Sequence, residues 1–289
     1  MHHRLFGCAR LLCASIVLAG ASARADVPPD PDPPTAALAA RFAPIVYFDQ
    51  RVPGDHGKSS KCLPQSAEPY YEAHLHGDRR RICNQDARTL DDAPAYYEVA
   101  HINDSTFITY WFFYGYQGTC LTGFGSHDSD WERIAIRVAQ GQLRDVVYWQ
   151  HNGRYTRRAE HVRLEGGHPV VFSGKNSHGS YHDTGGSGGC RYFADFRNPG
   201  GRKLKWQTAL HLQSLAAQGE AWMTAPAAAD GWSKVKPPTQ RRNSLEETVC
   251  RDDAGRLKIA GITFSKTNTC ARSDYRDPHM RIAALANLR

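Results

Sequence analysis

Thr106 to Tyr116 runs Thr-Phe-Ile-Thr-Tyr-Trp-Phe-Phe-Tyr-Gly-Tyr, aromatic or β-branched throughout except for Gly115. Such side chains suit a pleated backbone, and here both alternating faces are apolar. The segment therefore reads as a central strand covered on both sides, which commits the chain to a layered β architecture. Pro44–Phe48, Glu132–Ala139, Leu143–Gln150 and Pro169–Ser173 supply further strands. Gln140-Gly141-Gln142 is a tight turn that joins two of them as a hairpin. Asp49 to Asp92 is polar and irregular. A short helix is expected at Ala36–Arg41, and an amphipathic one over Trp206, Leu210 and Leu212–Ala216. Ala254–Ser265 alternates weakly, as an edge strand would. No internal repeat is visible. The expectation is one antiparallel β-sandwich domain over 37–289, mainly β, disulfide-stabilised, with one or two peripheral helices.

The N-terminus has the layout of an export signal. Arg4 and Arg10 precede the apolar run Leu11–Leu18, and Ala23-Arg24-Ala25 offers a cleavage site after Ala25. The run is too short to span a bilayer. The proline-rich stretch 26–36 reads as an extended linker. Secretion, or release into a periplasm, follows as the expected localisation. Removing the leader takes away Cys8 and Cys13, leaving Cys62, Cys83, Cys120, Cys190, Cys250 and Cys270. An even count in an exported chain points to three disulfides, for which sequence allows 15 pairings. Spacing favours Cys62 with Cys83, Cys120 with Cys190, and Cys250 with Cys270. The absence of a C-x-x-C pair argues against structural zinc. The formal charge of +7 falls to +4 when Arg4, Arg10 and Arg24 are removed. That is a mild excess, suited to anionic surfaces and insufficient to imply nucleic acid.

Chemistry is concentrated at Ser126-His127-Asp128-Ser129-Asp130-Trp131-Glu132, just before Arg133-Ile134-Ala135-Ile136-Arg137-Val138. Alternation puts Glu132 on the face of Ile134, Ile136 and Val138, with Asp130 next along it. Two inward carboxylates repel and lose hydration, a cost that a hard divalent cation offsets. His127, Asp128, Asp130 and Glu132 are the candidate ligands, and oxygen-rich donors favour calcium or magnesium over zinc or manganese. The competing reading is a polar network in which Asp128 and Asp130 cap turns and Glu132 pairs with a base. The spacing is not that of an EF-hand loop.

His151, His178 and His182 follow strand ends, where loops gather around a site. His151 and His178 are the candidate catalytic base and acid should the chain be a hydrolase. Ser180 lies in His-Gly-Ser-Tyr-His, not in a nucleophile elbow. Gly185–Gly189 has neither the lysine nor the helix start of a phosphate-binding loop.

His127-x-x-Asp130-Trp131-Glu132 resembles the Gly-His-Arg-His-Asp-Trp-Glu signature of the necrosis- and ethylene-inducing secreted proteins. The wider setting resembles a related group, the vacuolar protein sorting sixty-two family. Tyr110–Tyr116 is similar to that family's "YWFFYPYN" strand and Ser126–Glu132 to its "GDHEGDWE" turn. Tyr148–Gly153 is similar to its "YSQHNGG" strand end, and Val171–Tyr181 to its "YVAKGSHASY" segment. Pro44–Phe48 resembles the family's opening strand. The resemblance implies a sandwich of two antiparallel sheets. It also implies a divalent-cation site at His127, Asp130 and Glu132 that binds sugar headgroups of sphingolipids, with membrane damage as the outcome.

The resulting expectation is a secreted, monomeric, cation-dependent protein that binds a glycan or lipid headgroup at a cell surface, with no nucleic-acid partner. A secreted metal-dependent hydrolase of phosphodiesters or glycans is the alternative.

Overall fold

The computed structural model describes residues 32–49, 62–75, 83–84, 87–102, 104–118, 126–150, 153–175, 177–186, 195–197, 203–215, 256–259 and 262–265. The leader with Ala25, and Cys120, His151, Cys190, Cys250 and Cys270, lie outside the described residues.

Helix α1 (Pro33–Phe42) starts earlier than the linker reading anticipated. The Asp32 side chain accepts from the Thr35 N–H at 2.9 Å, and the prolines occupy the first turn, where no N–H is needed. The chain then enters β1 (Ile45–Asp49). Within the stretch read as irregular, α2 (Ala67–Leu75) forms, and Cys62 is disulfide-bonded to Cys83 as the spacing favoured.

Four strands follow: β2 (Ala95–Ile102), β3 (Ser105–Gln117), β4 (His127–Ala139) and β5 (Gln142–Gln150). The β4–β5 turn is Gln140-Gly141, both at positive φ, as a two-residue hairpin turn requires. After β6 (Gly153–Arg158) come β7 (Leu164–Glu165), β8 (His168–Ser173), β9 (Ser180–Tyr181), β10 (Lys203–Gln207) and β11 (Leu212–Ser214). Strands β12 (Arg256–Ile259) and β13 (Ile262–Ser265) pair with each other as a separate ribbon, so the expected single edge strand is a hairpin.

One sheet has the order β10-β1-β8-β7 with β9 on β8, and the other β11-β2-β3-β4-β5-β6. Both are mixed and not purely antiparallel, because β1 runs parallel to β8 and β11 parallel to β2. The core between them joins Val46, Phe48, Val171 and Trp206 of the first sheet to Ile108, Tyr110, Phe112, Ile134, Ile136 and Tyr148 of the second. The outer face of β3 and β4 is also closed, by Tyr70 and Tyr71 of α2 over Trp111, Phe113 and Trp131. The central strand is thus buried on both faces, as its composition dictated.

The helix expected over 206–216 is not formed. Trp206 pairs in register with Val46, and its indole meets Phe112 edge-on at 5.4 Å between ring centres. Strand β10, a short 3-10 turn at Thr208–Leu210 and β11 take its place. Cross-strand pairing and burial outweigh a weak helical periodicity here.

Candidate functional site

Register explains how the acidic cluster is aimed. Tyr110 pairs with Ile134, Phe112 with Glu132 and Tyr114 with Asp130. Tyr110, Phe112, Tyr114, Ile134, Ile136 and Val138 all belong to the core between the sheets. Glu132 and Asp130 therefore continue that face toward one end of the sandwich, each 5% exposed. Ser129, buried and at φ 54°, breaks the regular strand just before them. His127 and Asp128 are half-buried, and His127 Nδ1 lies 3.0 Å from the Ser129 carbonyl oxygen.

The histidine brought onto Asp130 is His178. Its Nδ1 lies 2.8 Å from Asp130 Oδ2, and its ring stacks on Tyr114 with centres 4.0 Å apart and planes within 4°. With the carboxylate ionised, Nδ1–H donates, so Nε2 is the nitrogen left over. Nε2 is buried and has no hydrogen-bond partner among the described residues. His178 is held at φ 56°, an uncommon backbone for a residue with a side chain. Burial raises the Tyr114 hydroxyl well above its usual range, and the Glu132 and Asp130 carboxylates raise it further. The hydroxyl is therefore neutral.

Gln150 closes the group from β5. Its Nε2 donates to the Ser180 carbonyl at 2.8 Å, and its Oε1 is buried without a partner among the described residues. A Cβ on Gly179 would press on Gln150 Cγ at 3.3 Å, so the turn bearing His178 rests directly on this side chain.

Of the residues singled out in the sequence, Asp130, Glu132 and His178 share one end of the sandwich. His182 is engaged elsewhere: its Nδ1 is 2.8 Å from the Tyr155 hydroxyl and its Nε2 2.6 Å from Arg157 Nη1. The same Nε2 lies 3.7 Å from Asp183 Oδ2, so this ring belongs to a separate network with Arg157 and Asp183. Among the described residues, no three His, Cys, Asp or Glu side chains converge as a ready metal-ligand set. Tyr114 and Gln150 were missed from the sequence. The signal for Tyr114 was present in the alternation of the aromatic run and lacked the β3–β4 register.

A family model described as vacuolar protein sorting-associated protein 62 matches residues 76–192, a span that contains Asp130, Glu132 and His178. Similar solved structures include Necrosis and Ethylene inducing Protein 2 from the causal agent of cocoa's witches' broom disease. That likeness has 16% identity, covers 73% of this chain and 86% of the other, and has a TM-score of 0.41. Another is described as a toxin fold for microbial attack and plant defence, with 19% identity over 68% of this chain and 82% of the other, and a TM-score of 0.41. NLPPya in complex with mannosamine is similar at 17% identity over 68% and 81%, with a TM-score of 0.38. Both groups that the motifs resemble are thus found again in these comparisons. No curated protein matches the chain.

Proposed function

We propose that this chain is an exported binding protein that takes a glycan or lipid headgroup at a cell surface through a divalent cation held near Asp130 and Glu132. The observation that carries the reading is the burial of these two carboxylates on one core-facing strand end, beside a histidine whose Nε2 has no partner among the described residues. The donor types fit a hard ion: carboxylate oxygens, an imidazole and, at Gln150, an amide oxygen. Asp130 and Glu132 would hold it, with His127 and Asp128 contributing from the strand start. A bound calcium or magnesium ion supplies charge compensation and open positions for vicinal hydroxyls or an anionic group. His178 orients the Asp130 carboxylate, as a hydrogen-bonded partner of a ligand does. Among the described residues, no helix is long and apolar enough to cross a membrane.

The test is calorimetric titration of Ca²⁺, Mg²⁺, Mn²⁺ and Zn²⁺ into chelator-stripped protein, wild type beside Asp130→Asn. Saturable calcium or magnesium binding that the variant loses is the expected result. No binding of any ion would make the cluster structural and overturn the proposal.

The Asp130–His178 bond favours hydrolysis as the second reading, since a carboxylate on Nδ1 sets Nε2 up as a base toward a water. Turnover of a phosphodiester or glycan substrate, lost in His178→Gln while ion binding persists, would put this reading first.

A further inference from the structure

His178 occupies its place because a turn with a left-handed residue is pinned at several points. The His178 N–H donates to the Gly174 carbonyl at 3.1 Å, and the Gly174 N–H to the Gly179 carbonyl at 2.8 Å. The Gly179 N–H donates to Ser177 Oγ at 3.1 Å, and that hydroxyl donates in turn to Asp195 Oδ2. Asp195 is fully buried and also accepts from the Tyr181 hydroxyl at 3.1 Å. Arg197 fixes its backbone, with Nη1 donating to the Asp195 carbonyl at 2.7 Å. A Cβ on Gly174 would overlap the Asp195 carboxylate, and one on Gly186 would overlap its carbonyl, so two glycines make room for this residue. Just beyond it, the Lys175 N–H donates to the Phe196 carbonyl at 2.8 Å.

A buried carboxyl is costly, and here burial pushes Asp195 up to about 7 against the pull of its hydroxyl donors and Arg197. An apolar residue would fill the space more cheaply, yet would leave the Ser177 hydroxyl without its acceptor.

We infer that Asp195 is a positioning residue for the candidate site. Through Ser177 it holds the Ser177–Gly179 backbone in the strained form that seats His178 on Asp130. The inference deepens the binding reading and rests on it for the ligand arm alone. Its primary readout is the His178 ring, which needs no ligand.

The experiment uses the full chain with ¹⁵N-labelled histidine. The His178 ring signals are identified by their loss in His178→Gln, and the Nδ1–H resonance reports the bond to Asp130. Ser177→Ala and Asp195→Ala are expected to abolish that resonance, whereas Asp195→Asn retains an acceptor and preserves it. Tyr181→Phe removes the other donor to the same carboxylate and is expected to leave the resonance unchanged. Should Asp195→Ala fail to fold, the milder Ser177→Ala decides the matter. An unchanged resonance in Ser177→Ala, or equal loss in Tyr181→Phe, overturns the inference.

Calcium titration adds the ligand arm. Loss of a residue that orients a ligand typically weakens metal binding by about tenfold or more, expected here for Ser177→Ala and not for Tyr181→Phe. If the wild type binds no ion, the binding reading fails while the His178 resonance still judges Asp195.

Discussion

His178 reaches back 48 residues to place Nδ1 2.8 Å from the Asp130 carboxylate, with its ring flat against Tyr114, the cross-strand partner of Asp130. Three side chains from β3, β4 and the turn after β8 thus form one buried unit. Removing His178 from such a pair leaves a buried carboxylate without its partner, which costs about 3–5 kcal/mol. His178→Phe keeps a ring against Tyr114 and deletes the donor, so urea denaturation should show a loss of that size. Asp130→Leu combined with His178→Phe should recover most of it, since an apolar pair of similar shape needs no partners. Recovery of stability alongside loss of ion binding would mark the pair as kept for function.

Asp195 makes stability depend on pH in a stated direction. Its folded value of about 7 lies above the ordinary 3.8, so the unfolded chain releases this proton first as pH rises. The stabilisation is complete below about 4 and is lost as pH rises through about 7, on the order of 4 kcal/mol at most. Asp195→Asn cannot titrate there. Melting curves between pH 4 and 8 should therefore show the wild type losing ground to the variant up to neutrality and tracking it beyond. Parallel curves throughout would mean that Asp195 titrates normally.

How far these residues were visible in the sequence follows from which forces are local. Side-chain alternation is local, so the inward aim of Glu132 with Ile134, Ile136 and Val138 could be read directly, and burial agrees. The hairpin at Gln140-Gly141 was legible for the same reason. Pairing between distant segments is not local. Nothing in Lys203–Gln207 announces that Trp206 will pair with Val46, and a helical spacing of leucines pointed the other way. Asp195 carries no motif, because its meaning lies in Ser177 and Tyr181, which reach it only after β8 and β9 turn back on each other. His178 was flagged by its neighbours in sequence, whereas its partner Asp130 was assigned to the same site on different grounds.

The disulfide between Cys62 and Cys83 closes a loop with a sequence separation of 21. Loop-closure entropy for that length corresponds to about 3 kcal/mol of stabilisation. Cys62 also packs in the main core, and Leu63 and Asn84 next to the bridge pair through their backbones at 2.7 Å. Replacing both cysteines by alanine should lower the unfolding free energy by about that amount, measured by chemical denaturation under non-reducing conditions.

Glu132 separates a functional cluster from a structural one. It lies on the face of Ile134 and Ile136, 5% exposed, one alternation step from the equally buried Asp130. The charges of both carboxylates are felt at the Tyr114 hydroxyl, which they raise. Glu132→Gln keeps the shape and removes one charge. Where the carboxylates serve a cation, the variant should be as stable as the wild type or up to about 1 kcal/mol more so in the absence of ions, and should lose calcium affinity by at least about tenfold. Where Glu132 serves a structural network, the signs reverse: stability falls and no ligand affinity changes. Thermal melting with and without calcium, on both proteins, distinguishes the two in one series.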